Sequence, residues 1–134
     1  MTSLMGVEGI GTEYYQKLKS AGVTTTKALL ERGATPKGRQ ELADQTGISP
    51  KLILEWVNHA DLFRVQGIGE EYSDLLEEAG VDTVAELAQR SPKNLYEKLL
   101  EINKQKNLVR RAPTSSQVED WVNQAKKLPG AINY

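Results

Sequence analysis

Apolar residues recur at helical spacing along most of the chain. Tyr14, Leu18 and Ala21 fall at i, i+4 and i+7, and Tyr72, Leu76 and Ala79 repeat that spacing, the mark of an amphipathic helix. Both runs stop at Ala-Gly-Val, where Gly22 or Gly80 suits a left-handed residue just past a helix end. New helices are expected to start at Thr25 and at Thr83, the second with a Thr83-x-x-Glu86 capping box. Thr35-Pro36, Ser49-Pro50 and Ser91-Pro92 read as an N-cap followed by proline in the first helical position. Leu52, Ile53, Trp56, Val57 and Ala60 make one apolar face. Val118, Trp121, Val122 and Ala125 make another, expected to be capped by Ser116-x-x-Glu119. No segment alternates with a period of two, and no Asn-Gly or Asp-Gly hairpin signal occurs. The expected fold is all-α, with roughly eight short helices.

The chain also repeats itself. VEGIGTEYYQKLKSAGVTTTKAL (7–29) aligns with VQGIGEEYSDLLEEAGVDTVAEL (65–87) at an offset of 58, with twelve of 23 positions identical. EWVNHA (55–60) returns as DWVNQA (120–125) at an offset of 65, so the second copy has gained seven residues. The polar, basic stretch 103–115 lacks helical periodicity and is the expected site of the insert. Two units follow, 1–63 and 64–134. Only six residues precede the first hairpin (7–11), too few for a helix of its own, whereas a spare Trp121 helix closes the chain. That helix is expected to pack back on the first hairpin, so that two pseudo-symmetric units share one core.

Composition narrows the chemistry. Cysteine is absent and His59 is the single histidine, which removes disulfides, thiol nucleophiles, thiolate zinc sites and multi-histidine metal sites. No stretch approaches 18 apolar residues, and the first ten lack the charge and apolar run of a signal peptide. The expected compartment is the cytoplasm. Lys and Arg total 17 against 18 Asp and Glu, a net charge of −1, unlike the basic surplus of a protein that coats DNA. There is no positioned base for serine chemistry and no phosphate-binding GxxxxGK[ST] loop. Carboxylates fall on predicted wet faces, where nothing is expected to raise their pKa. The expectation is therefore no enzyme, no catalytic residue, no cofactor, no metal and no small-molecule substrate. Trp56, Trp121, Tyr14 and Tyr72 read as core by their spacing. His59 reads as solvated surface, and Tyr15, whose counterpart is Ser73, as an exposed position.

The Gly-Ile-Gly turns carry the candidate chemistry. Two glycines let the backbone turn sharply and leave little side chain above it. The amides of the turn and of the next helical turn form a small nest at the positive end of a helix dipole, fit for a phosphate or a carboxylate. VEGIG (7–11) and VQGIG (65–69), each leading into a helix, resemble the helix-hairpin-helix motif of DNA ligases, polymerases and repair glycosylases. The AGV-x-T-x-x-x-L pattern from Ala21 and from Ala79 is similar to the five-helix, SAM-like unit of RNA polymerase alpha C-terminal domains. The whole chain resembles a tandem helix-hairpin-helix family, common in cyanobacteria, with no settled activity. The resemblance implies a phosphate grip by Gly9, Ile10, Gly11 and Thr12 with help from Lys17 and Lys19. It places Gly67, Gly69 and Glu70 at the second grip, where Glu70 already departs from the pattern.

Charge separates the two hairpins. Segment 65–87 holds seven acidic residues and no Lys or Arg, a local charge of −7, whereas 7–29 carries +1. Glu70 and Glu71 stand where a phosphate would sit. Like charges ~6 Å apart at an effective dielectric of ~20 to 80 repel by roughly 1–3 kcal/mol, comparable to what a helix terminus offers an anion. Gly67, Ile68 and Gly69 are thus expected to be mainly structural, leaving the first hairpin as the phosphate candidate. Lys104, Lys106, Arg110 and Arg111 are expected on a mobile loop that could meet nucleic acid, an acidic protein or an anionic surface. The expected function is a small non-enzymatic adaptor that binds a protein partner. The alternative is weak, sequence-independent binding of duplex DNA through the first hairpin.

Overall fold

Side-chain caps begin most of the helices, and the caps explain where each starts. The computed structural model describes residues 4, 7 and 9–134. Glu8, counted above in the charge of the first hairpin, lies outside the described residues. Among the described residues there are eight helices and no strand: α1 (Thr12–Ser20), α2 (Thr26–Arg32), α3 (Pro36–Thr46), α4 (Pro50–Leu62), α5 (Glu70–Glu78), α6 (Val84–Gln89), α7 (Pro92–Lys106) and α8 (Ser115–Lys127). Thr25, Thr35, Thr83 and Ser91 each accept the backbone N–H three residues on, and Ser49 does the same for Leu52 at 3.2 Å. Each satisfies one of the orphan donors of a helix start. At α8 the cap is Thr114 with Gln117, a full capping box, not the expected Ser116-x-x-Glu119. The helix begins a residue before Ser116, so that hydroxyl already lies inside it.

The chain divides into two units, one running to Asp61 and including 131–134, the other Leu62–Gly130. In the first, α3 packs against α1 and α2. Leu18, Val23, Leu29, Leu42, Ile53, Trp56 and Val57 are buried there. Arg39 is buried as well, donating to the Gly33 carbonyl at 2.8 Å and the Asn133 carbonyl at 2.9 Å. Asn133 in turn donates its N–H to the Ala34 carbonyl at 2.7 Å. In the second, α8 packs on α6 and α7, and α5 on α7. Its core runs from Leu62 to Ala125 and includes Ile68, Leu75, Leu76, Leu87, Leu99, Val118 and Trp121.

Each unit thus has a tryptophan core of its own. Trp56 stacks edge-on to Tyr14 at 5.1 Å, and Trp121 meets Tyr72 at the same 5.1 Å. The seat beneath Gly9 is filled by Trp56 of α4, and that beneath Gly67 by Trp121 of α8. The tryptophan that follows each hairpin in sequence seals it. Other contacts repeat as well. Val23 N–H reaches Leu18 O and Val81 N–H reaches Leu76 O, both at 2.9 Å, with Gly22 and Gly80 at φ +86° and +88°. Arg32 donates to Ala21 O at 3.0 Å and Arg90 to Ala79 O at 3.2 Å, each closing the end of the preceding hairpin helix.

The insert also departs from expectation. Helix α7 has 15 residues against 11 in α3, so Lys104 and Lys106 ride on its last turn. Asn107 stops it in a left-handed conformation at φ 51°. The following segment is anchored, not loose: Asn103 accepts the Val109 N–H at 2.9 Å and donates to the Val109 carbonyl at 3.3 Å. Val109 is buried. Polar spacing hid a segment held down by one valine and one asparagine. His59, expected at the surface, is buried.

Candidate functional site

Within each unit the Gly-Ile-Gly turn is built the same way. A backbone bond from Ile10 N–H to Val7 O at 3.1 Å, and from Ile68 N–H to Val65 O at 3.2 Å, closes the turn. Ile10 and Ile68 are buried and pin it to the core. The first glycine is left-handed, at φ +92° for Gly9 and +97° for Gly67, and a β-carbon there would lie 3.2 Å and 3.0 Å from a tryptophan Nε1. The second glycine is an extended N-cap, and no atom lies within 4 Å of where a β-carbon would stand on Gly11 or Gly69. The inner glycine admits the indole, and the outer one keeps the mouth of the turn open.

The helix starts behind these glycines have no side-chain cap bond, in contrast to the Ser- and Thr-capped helices. The first-turn amides therefore face outward at the positive end of the dipole. At α1 the open mouth carries exposed Thr12 and Glu13; at α5 it carries exposed Glu70 and Glu71. Gly9, Ile10, Gly11 and Thr12 thus come together as one turn. Lys17 and Lys19 belong to the last turn of α1. The Lys17 ammonium lies 5.8 Å from the Tyr14 ring centre and 3.8 Å from Glu13. That ammonium is engaged along its own helix, and a phosphate at Gly9–Gly11 would have to draw it away.

In the second unit the basic residues meet the acidic helix. Lys106 pairs with Glu78 at 2.6 Å. The Tyr72 hydroxyl donates to the Arg111 carbonyl at 3.1 Å. Segment 106–111 therefore runs beside α5 from its last residue back to its first turn. Lys104, Lys106, Arg110 and Arg111 are all exposed. Sequence reasoning missed this adjacency, which depends on contacts across 28 and 39 residues. Near the same end of α5, a groove of about 480 Å³ is lined by Glu78 and by Asn94, Glu97, Lys98, Glu101 and Ile102 of α7.

One carboxyl departs from the expected behaviour. Glu86 is pushed up to about 7, first by its hydrogen bond with Asp82, then by burial and by the charge of Asp82. Its own N–H caps on Thr83 at 3.1 Å, and the Thr83 hydroxyl faces its carboxylate at 3.5 Å. The cap that starts α6 thus holds Glu86 beside Asp82.

Among the described residues, no helix is long and apolar enough to cross a membrane. No solved structure matches the chain. A family sequence pattern does match it over residues 8–128, from the first hairpin through the last helix. On that match the chain belongs to the family described as a domain of unknown function, DUF4332.

Proposed function

We propose that this chain is a non-enzymatic, cytoplasmic binding module that docks a protein partner through the acidic first turn and outer face of α5. The reading takes each Gly-Ile-Gly turn with its flanking helices as a helix-hairpin-helix element in two pseudo-symmetric units. The repeated glycine conformations, tryptophan covers and Arg32 and Arg90 clamps support it.

One observation carries the choice of partner. Two turns of the same backbone shape open onto different chemistry, Thr12 with the single carboxylate Glu13 at one and the paired carboxylates Glu70 and Glu71 at the other. Carboxylates at an uncapped N-terminus are stabilised by the helix dipole while repelling phosphate. Exposed and acidic, they suit a Lys- or Arg-bearing protein surface, with rapid, salt-sensitive docking. The test is an amide-shift titration with a short oligolysine. Shifts confined to residues of α5, lost in a Glu70→Lys, Glu71→Lys variant, are expected. An absence of shifts there would defeat the reading.

The second reading is phosphate contact by the first hairpin, favoured by its uncapped mouth, where Thr12 stands in place of the first of the two carboxylates and only Glu13 is acidic. Two or three phosphate contacts would give a salt slope of about −2 to −3. Short duplex DNA in the same titration, shifting Gly9 to Glu13 and losing that effect with Gly9→Val and Lys17→Glu together, would support it.

A further inference from the structure

Two stripes of opposite charge lie side by side on the second unit. The acidic stripe is α5, with Glu70, Glu71, Glu77 and Glu78 exposed. The basic stripe is the segment from Lys104 to Arg111, tied to the two ends of α5 by Lys106–Glu78 and by Tyr72–Arg111. The stripes are antiparallel and adjacent over a helix about 13 Å long. Asn103 and the buried Val109 hold the basic one in place. No ion pair engages Glu70, Glu71, Arg110 or Arg111 among the described residues. Leu108 stands at the middle of the basic stripe, 36% exposed, one of two exposed large apolar side chains among the described residues.

Side-by-side stripes of opposite sign are self-complementary. A twofold axis lying along their seam, parallel to α5, sets the acidic stripe of each copy against the basic stripe of the other. Such an isologous contact forms each charge pairing twice and closes the assembly. A twofold axis across the seam would oppose acid to acid and is excluded by charge.

We infer that this face binds a second copy of the chain, Arg110 and Arg111 of one meeting Glu70 and Glu71 of the other, with Leu108 covered at the centre. The inference rests on the reading of α5 as a docking face and names a basic surface that suits it. With few apolar groups and mostly rim charges, the association is weak, fast and sensitive to salt.

Sedimentation of the full chain over a range of concentrations tests it. At about 0.05 M salt, where charges are felt beyond ~10 Å, the mass is expected to rise from 14.9 kDa towards twice that value. At about 1 M salt, where the range is ~3 Å, it should return to the monomer. Arg110→Glu with Arg111→Glu should abolish the rise, and so should Glu70→Lys with Glu71→Lys. An equimolar mixture of the two variants should associate again, because the exchanged charges fit. Far-ultraviolet dichroism checks that each variant folds; Arg110→Gln with Arg111→Gln, or Glu70→Gln with Glu71→Gln, replaces the corresponding pair if it does not, and is likewise expected to abolish the rise. A wild-type chain that stays monomeric at low salt overturns the inference. A dimer indifferent to both reversals does so too, as does a mixture that fails to associate. If the monomeric result comes with an intact oligolysine response, only self-association falls. If that response is missing as well, the docking face falls with it.

Discussion

The indole nitrogen of Trp121 stands 3.0 Å from where a β-carbon on Gly67 would sit. The contact joins the two halves of one requirement, since the same glycine holds φ +97°, a conformation that side chains disfavour. The hairpin can approach the tryptophan only because nothing projects from that α-carbon.

Gly67→Ala should therefore destabilise the fold by about 2–3 kcal/mol, the sum of a strained backbone and a displaced indole. Gly69→Ala should change stability by less than ~1 kcal/mol, since its φ of −110° suits alanine and the space beyond it is open. Urea unfolding followed by tryptophan emission measures both. Equal effects at the two glycines would refute the division of labour between inner and outer positions.

Arg39 bridges two carbonyls, Gly33 and Asn133, from a buried position. Arg39→Ala should cost about 2–3 kcal/mol because both carbonyls lose a charged donor. Arg39→Lys should recover little of it, since a single ammonium does not reproduce the planar fork. Removing residues 131–134 should cost about 1 kcal/mol, because water can replace the Asn133 carbonyl. Thermal unfolding of the three variants gives the ranking.

The Asn103 clasp on Val109 should govern the order of the basic segment. Asn103→Ala removes both bonds and should speed hydrogen exchange at the Val109 amide about five- to thirtyfold, by loss of about 1–2 kcal/mol of local stability. Exchange in α5 should change far less. Unaltered exchange at Val109 would show that its burial alone holds the segment.

Glu86 carries a raised pKa, about 7 against an ordinary 4.5. The folded chain thus binds this proton more tightly than the unfolded one. Stability conferred by the protonated pair is complete below pH 4.5 and declines as the pH rises towards 7. Because Glu86 is exposed, solvent screens the effect and keeps it small. Glu86→Gln should flatten this part of the stability profile, and carboxyl titration by NMR should place the Glu86 midpoint near 7, well above the ordinary 4.5.

Sequence spacing alone determined the helices and most of their ends. Tyr14, Leu18 and Ala21 mark a buried face through the 3.6-residue period. Thr35, Ser49 and Ser91 mark starts because a hydroxyl beside the first turn meets amides only a few residues away. Gly22 and Gly80 mark stops through backbone sterics. Each of these signals acts over a handful of residues, so each is readable from a short window. Tertiary structure alone decided the partnerships. Trp56 and Trp121 have near-identical surroundings in sequence, and either could have been assigned to either glycine turn. Chain connectivity and close packing paired Trp56 with Gly9 and Trp121 with Gly67. The same non-local packing buried His59, brought Asn133 back to Arg39 and laid the basic segment along α5. Those contacts join residues far apart along the chain, where local periodicity carries no information about which surfaces will meet.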